Sequence, residues 1–202
     1  IAQFFRVAGG STQHKGVVPD IAFPVSVDAS EYGESTYENA LPWTQIAALP
    51  HTQYGNFAPL LPRLEALHAT RIANDKEFQW WSEDVAQFRA ETAKKYVSLN
   101  EAERRAERDK QEAQRKQRQA ERKTLGLALD PLAEDSADDG LGASERDIIK
   151  DAAREKLAEK RPDPLLRESA AILADAIDVL GQDQKLSAQV LPESTLPGSW
   201  AQ

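Results

Sequence analysis

The sequence contains no cysteine, which excludes disulfide scaffolds, cysteine-based zinc sites and thiol catalysis. It also lacks an excess of basic residues, because 25 lysines and arginines stand against 33 aspartates and glutamates, a formal net charge of -8. A chain this acidic is expected to repel nucleic acid and anionic membrane. No apolar run approaches the roughly 20 residues of a membrane span. We therefore expect neither a nucleic-acid partner nor a membrane span.

What is present fits one or two compact units in 202 residues, and 41% hydrophobic residues suffice for a modest core. The chain begins at Ile1 rather than at a methionine and opens in an apolar run. We expect from this a piece of a longer protein. No signal peptide is recognisable, and in a fragment such a signal would lie upstream of Ile1.

Residues 1–24 have the pattern of extended chain. The β-prone run Ile1–Val7 stops at Gly9-Gly10, and the prolines of a second run, Val17–Pro24, confine it to an edge strand or an arm. Two short strands cannot form a stable sheet, so this β arm needs a partner from outside the chain. An orphan strand can also pair with a second copy, which would give a homo-oligomer through the arm.

Residues 25–55 have loop character, and helical periodicity begins near Asn56. Asn74 followed by Glu77 is typical of a capping box and predicts the start of a second helix. These two helices are expected to form an antiparallel pair with an aromatic seam. The first helix is expected to have Phe57, Leu60, Leu61, Leu64, Leu67 and Ile72 at helical spacing, and the second is expected to carry Phe78, Trp81, Val85, Phe88 and Thr92 on one face.

Ser98 with Glu101 predicts the start of a charged helix over about residues 100–124, in which alanine supplies the only apolar positions. Such a helix is either a solvated arm or the thin seam of a coiled-coil-like pair. Residues 126–142 are rich in carboxylates and glycine and predict an acidic loop. The basic residues of the charged helix are interrupted by glutamates and lack interleaved aromatics, which favours a solvated helix over a phosphate-binding surface.

Two more helices are expected in the last third of the chain. One starts at Ser144 and stops before Pro162, and the other starts at Asp163-Pro164 and stops at Gly181. The tail from Gln182 is predicted to be loose. The fold class is therefore mainly α, with a short β arm at the N-terminus.

Few residues carry the pattern of a chemical site. The three histidines, His14, His51 and His68, have no metal-ligand spacing, so each is expected at the surface and no metal or cofactor is expected. The group Ser11 to Lys15 has no nucleophile-elbow pattern and is interpreted as a structural loop. One of two adjacent tryptophans must leave the apolar face of its helix, and Trp80 is therefore a candidate protein-contact residue.

Several short motifs along most of the chain carry a resemblance to a known family. The motifs are Phe4-Phe5-Arg6, Gly9-Gly10-Ser11-Thr12-Gln13, Lys15-Gly16-Val17, Pro19-Asp20-Ile21, Asn39-Ala40-Leu41-Pro42-Trp43, Arg71-Ile72-Ala73, Asp75-Lys76-Glu77-Phe78, Val97-Ser98-Leu99-Asn100 and Pro162-Asp163-Pro164-Leu165-Leu166. Together they resemble tail-specific (carboxy-terminal-processing) proteases. The segment Ile1–Pro24 resembles the end of the protease domain of that family, and the later motifs resemble the helical C-terminal extension of its long members. The charged helix and the acidic loop depart from the family pattern.

The resemblance implies a periplasmic endopeptidase with a serine–lysine dyad and a PDZ domain that binds apolar C-terminal tails. It also implies protein substrates and, for long members, a lipoprotein adaptor as a partner. The dyad would lie upstream of Ile1, and Lys15 does not match its lysine, so no residue of this chain takes a catalytic role. Residues 1–24 would then end the protease domain, 25–55 would connect, and 56–202 would form the helical C-terminal domain.

We expect from these observations a non-catalytic, structural and substrate-enclosing domain of the parent protease, inactive as an isolated chain. The alternative is an adaptor or scaffold module that binds a separate protein through the charged helix and Trp80.

Overall fold

Helices dominate the part of the chain that the computed structural model describes, which is residues 3–26, 32–51, 54–133 and 148–191. A short 3₁₀ turn at Glu34–Thr36 precedes them. They are α1 (Leu61–Ile72), α2 (Lys76–Ala93), α3 (Glu101–Leu125), α4 (Ile148–Ala158), α5 (Pro164–Gln182) and α6 (Gln184–Val190). The mainly α fold class predicted from the sequence is confirmed.

The chain divides into two units, one formed by residues 1–93 with 164–202 and the other by residues 94–163. The first unit contains α1, α2, α5 and α6, and the second contains α3 and α4. The domain limits expected after residues 24 and 55 stay a prediction. Within the described ranges, no helix is both long and apolar enough to cross a membrane.

The core of the first unit lies between α1, α5 and α6. Leu60 and Val190 are completely buried and pack with Leu64 and Val179. Partly buried side chains complete this core, namely Ile21, Ile172, Ala176, Leu180 and Leu186. The apolar positions at helical spacing in α1 and α5 thus face one another, as their periodicity predicts.

The segment before α1 holds α6 in place. The backbone N–H of Asn56 donates to the carbonyl oxygen of Val190 over 2.8 Å. A Cβ at Gly55 would lie 2.9 Å from that same oxygen, which is closer than any ordinary contact. Glycine is therefore required by the close approach of the two backbones.

The first helix begins at Leu61, five residues later than expected. The side chain of Asn56 accepts a hydrogen bond from the backbone of Ala58 and forms a local turn. Pro59 then disfavours the helical conformation for Ala58, whereas Pro62 is tolerated in the first turn of α1.

Two helix caps differ from those expected. The cap of α2 is Asp75 rather than Asn74, because Asp75 Oδ1 accepts the backbone N–H groups of Glu77 and Phe78. The cap of α3 is Asn100 rather than Ser98, since its side chain accepts from Ala102 and Glu103. Two polar residues of similar capping strength precede each helix. Which of the two becomes the N-cap is set by geometry that the sequence does not reveal.

The predicted loose tail is wrong over its first ten residues. Gly181 does not end its helix, and α5 continues to Gln182. Asp183 then caps a further helix, α6, by accepting the N–H of Leu186 over 3.0 Å. Burial of Val190 supplies the apolar contact that fixes this short helix on the core. The tail beyond Leu191 lies outside the described residues.

The predicted β arm is not seen among the described residues of the segment 1–24. That segment has two isolated bridges, Phe5 with Ser11 and Gly10 with Gln45, and no named strand in its described part. Some of its backbone hydrogen bonds lie within the segment, where Thr12 donates to the carbonyl oxygen of Phe4 over 3.1 Å. Others join it to the loop at residues 44–49, where Ile46 donates to Gly9 over 2.9 Å. Local turns and this loop, rather than a partner strand, thus pair its described backbone groups.

In the second unit, α3 covers most of the expected charged helix and has no buried residue. It ends at Gly126, which has the left-handed conformation with φ of 67°. Arg161 forms a bidentate ion pair with Asp130, with its closest contact at 2.8 Å. Most of the predicted acidic loop, and the predicted helix start at Ser144, lie outside the described residues.

Truncation of Leu60 tests the position of the core. Leu60→Ala is expected to lower the free energy of unfolding by about 2–5 kcal/mol, since it leaves a cavity where no atom of the side chain is exposed. Urea unfolding followed by circular dichroism measures it. The matched control is Leu67→Ala in α1, where the side chain is 38% exposed and the cost is expected to be under about 1 kcal/mol. Equal losses would contradict the assigned core.

Candidate functional site

A carboxylate with almost no solvent exposure lies at the centre of the first unit. Glu168, in the first half of α5, is 2% exposed. An ionised carboxylate in such a position is strongly unfavourable unless charged or hydrogen-bonding partners replace its water. Helix α1 supplies both partners, His68 and Arg71. We call Glu168, His68, Arg71 and Asp175 the Glu168 network.

Both oxygens of Glu168 are satisfied. Arg71 Nε lies 2.8 Å from Oε2 and 3.0 Å from Oε1, and His68 Nδ1 lies 2.8 Å from Oε1. An ionised carboxylate only accepts hydrogen bonds, so the contact with His68 places a proton on Nδ1. The three side chains thus join α1 to α5 by charge-assisted hydrogen bonds.

Arg71 also reaches a carboxylate about two turns further along α5. Its Nη2 lies 2.6 Å from Oδ2 of Asp175, one helical heptad beyond Glu168. The hydrogen bonds to Glu168 and Asp175 raise the pKa of Arg71 above its usual range, because two carboxylates stabilise the cation. One guanidinium therefore spans two turns of the neighbouring helix, which fixes the register of α1 against α5.

A second ionic group joins α5 to the start of α2, and we call it the Arg167 clasp. Arg167 Nη2 lies 2.5 Å from Oδ2 of Asp75, and its Nη1 contacts the buried carboxylate of Glu77. Asp75 thus has two roles, because its other oxygen caps α2. Burial alone would raise the pKa of Asp75, but hydrogen bonds from Phe78 and Arg167 outweigh it and lower that pKa.

Aromatic rings cover one side of the Glu168 network. The Phe23 ring stacks on His68, with centroids 5.3 Å apart and planes at 27°. Phe78 meets both rings edge-on, at 5.6 Å from Phe23 and 5.8 Å from His68. This arrangement is favourable for aromatic pairs and excludes water from the imidazole.

The prediction that His68 lies at the surface is wrong. Its exposure is 9%, because it lies in register with Leu64 on the inward face of α1. His51 is exposed as expected, and His14 is intermediate, with a positive φ of 62°. The sequence did contain a signal for this burial. His68 falls on the apolar face of its helix, and Glu168 falls on the apolar face of another, so periodicity could have predicted that both side chains are buried.

Trp80 is 5% exposed, so the argument that it leaves the apolar face is wrong. Its neighbour Trp81 is half-buried and donates its Nε1–H to the carbonyl oxygen of Pro24 over 3.2 Å. Both tryptophans are therefore used inside the first unit. A role of Trp80 in contacts with another protein stays a prediction.

The Ser11 to Lys15 group forms no catalytic arrangement in the described contacts. Ser11 is buried, and its Oγ accepts the backbone N–H of Gln13 over 3.1 Å. Lys15 Nζ lies over the Trp43 ring at 4.7 Å from its centroid. A hydroxyl that already closes a turn and a lysine on an aromatic face favour the structural interpretation of this loop.

The pair His68–Glu168 has the composition of a base with an orienting carboxylate, but its surroundings suit packing. A catalytic base needs an acceptor face open to substrate and a nucleophile within reach. Here the described contacts of His68 are Glu168, Phe23 and Phe78. No group of metal-ligating side chains occurs in the described ranges either. The described contacts of this pair therefore favour a role in ordering the helices.

Comparison with known proteins identifies the origin of this helical arrangement. Residues 27–178 match the family model described as the C-terminal domain of tail-specific protease. The chain is also 35% identical over 190 residues to the tail-specific protease of Haemophilus influenzae. That match covers 93% of this chain and 25% of the relative, so the chain spans about a quarter of the relative's length. The resemblance drawn from the sequence motifs is thereby confirmed.

Removal of the Glu168 carboxylate tests the network. Glu168→Ala is expected to lower the free energy of unfolding by about 3 kcal/mol, because Arg71 Nε and His68 Nδ1 lose their acceptor and Arg71 is left with Asp175 as its remaining carboxylate partner. This value lies at the low end of the usual cost of breaking a buried ion pair, because the Arg71 side chain is 31% exposed. The matched control is Asp178→Ala at an exposed position of the same helix, with an expected cost under about 0.5 kcal/mol. Equal effects in thermal and urea unfolding would contradict the network's role.

The Arg167 clasp predicts acid sensitivity. The pKa of Asp75 is lowered on folding from 3.8, so its stabilising contribution is complete above that pH and is lost as pH falls through the lower folded pKa. Asp75→Asn retains the capping oxygen but has no charge to titrate. We expect the variant to lose stability less steeply than the original chain between pH 5 and pH 2.5. Slopes that coincide in urea titrations across this range would count against the clasp.

Proposed function

This chain belongs to the family of C-terminal domains of tail-specific proteases, and from that premise we propose that it is a non-catalytic, structural and substrate-enclosing part of a periplasmic serine endopeptidase. The parent enzyme would degrade proteins that it recognises by their C-termini. Its serine–lysine dyad and PDZ domain would lie in the remainder of the polypeptide. This chain would pack on the protease core and shape the space in which a substrate is held.

The observation that carries the proposal is that the buried charges pair with one another between helices. The Glu168 network and the Arg167 clasp pair their charges with one another across α1, α2 and α5. Charges held in this way fix the relative positions of helices. A rigid helical body is what an enclosing wall requires, because a wall that yields would not exclude other proteins.

Exposed apolar side chains support packing against a further surface. Leu166, Leu173 and Ile177 lie along α5 at spacings of seven and four residues, and each is about two-thirds exposed. They therefore share one face of the helix, away from the Glu168 network. Contiguous apolar surface of this kind is typical of an interface. We assign it to contact with the protease core of the same polypeptide.

The proposed cellular setting follows from the family and not from the geometry. A periplasmic address, protein substrates and a lipoprotein adaptor as partner accord with what the resemblance implies. The exposed surface of the helical body would offer the adaptor its contact site. A homo-oligomer through the N-terminal segment is a less favoured arrangement, because that segment already has backbone partners at residues 44–49.

A peptidase assay tests the proposal directly. The purified 202-residue chain is expected to show no hydrolysis of a peptide with an apolar C-terminus, since no nucleophile and base meet in its described residues. The full-length parent is the positive control under the same conditions. Serine-peptidase activity in the isolated chain, lost on treatment with a serine-reactive inhibitor, would overturn the non-catalytic assignment.

The alternative function is an adaptor or scaffold module that acts apart from the protease. The feature that favours it is α3, a helix of 25 residues with no buried side chain. Trp80 does not support it, because that ring is buried. Capture of a partner by the 202-residue chain without the protease part, lost on deletion of residues 100–123, would favour the adaptor. Capture that requires the protease part of the parent would favour the enclosing domain.

A further inference from the structure

The segment Ile21–Pro24 precedes the region that matches the family model, which begins at residue 27, yet it is anchored on the helices. Ile21 packs against the apolar core, and the Phe23 ring lies against His68 and Phe78. The carbonyl oxygen of Pro24 accepts a hydrogen bond from Trp81. Three successive kinds of contact thus attach this segment to α1 and α2.

The contact at His68 differs from the others because it continues into the Glu168 network. One face of the imidazole stacks on Phe23, and one edge meets Glu168 through Nδ1 at 2.8 Å. The direction in which Nδ1 points depends on the ring plane, since the nitrogen lies in that plane. Stacking restricts the plane, whereas an aliphatic neighbour would allow the ring to rotate.

We propose that Phe23 is a positioning residue, which holds the His68 ring in the orientation that meets Glu168 and so couples the segment Ile21–Pro24 to α5. The functional domain then begins at Ile21 rather than at residue 27. The surface of α1 and α2 that holds this segment thus binds the part of the same polypeptide that precedes the family region. That consequence rests on the proposed function, because in the parent enzyme the segment leads back to the protease domain.

The coupling matters because it joins two parts of the chain through side chains alone. Phe23 and Glu168 are 145 positions apart in sequence. Along this route a change at Phe23 reaches α5 through the His68 ring and its hydrogen bond to Glu168. A helical body docked in this way would keep its orientation toward the protease domain while substrate is held.

The test compares Phe23→Leu with Glu168→Gln in the full 202-residue chain. Leucine keeps apolar volume at position 23 but removes the stacked ring, so the fold is expected to persist. Two quantities are measured: the ¹⁵N chemical shifts of the His68 imidazole, and hydrogen exchange of the α5 backbone amides. The matched control is Phe88→Leu, because that ring lies on α2 and is 43% exposed.

Both single variants are expected to shift the His68 Nδ1 resonance and to accelerate α5 exchange about tenfold. The double variant is expected to exchange no faster than the faster single variant, since both changes break the same relay. Phe88→Leu should leave the His68 Nδ1 resonance unshifted and the α5 exchange rates within about twofold of those of the original chain. An unchanged Nδ1 shift in Phe23→Leu, or additive effects in the double variant, would overturn the coupling.

The outcome can be separated from that of the proposed function. Peptidase activity in the isolated chain would remove the non-catalytic assignment without touching the His68 resonance. An inactive chain with an unshifted His68 in Phe23→Leu would remove the positioning role and leave the enclosing domain intact.

Discussion

The buried carboxylate of Glu168 is the constraint on which the first unit depends. A charge with 2% exposure has lost its water and must find donors in the protein. Among the described residues these donors come from α1, which brings two, so α1 and α5 have one register in which both oxygens are satisfied. An apolar seam alone would tolerate sliding of the helices, whereas hydrogen bonds to a buried carboxylate do not.

The other elements can be understood from that register. With α1 and α5 fixed, Arg167 faces the first turn of α2, and the capping carboxylate of Asp75 is held between a helix N-terminus and a guanidinium. Leu60, Leu64 and Val179 then close the apolar core, and Val190 seals its end. Charges define the arrangement and apolar burial supplies most of its free energy.

The sequence predicted the helices better than the site. Periodicity located the bodies of α1, α2, α3 and α5, because each has a clear apolar stripe or a clear lack of one. It failed at Asn74, Ser98 and Gly181, where neighbouring residues had equal local preference and tertiary contacts decided. The pairing of Glu168 with Arg71 joins positions 97 apart, and no local pattern specifies which of many charged residues will meet.

The charged helix α3 has a consequence for how the chain can change over time. With none of its residues buried, its helix is maintained by the Asn100 cap, by Gly126 and by ion pairs of neighbouring turns such as Arg105 with Glu101. Exchanging one helix-forming residue for another there alters stability by tenths of a kcal/mol. Selection for folding therefore leaves this stretch free to drift. Stability alone would therefore let this stretch vary more freely than the buried positions of the first unit.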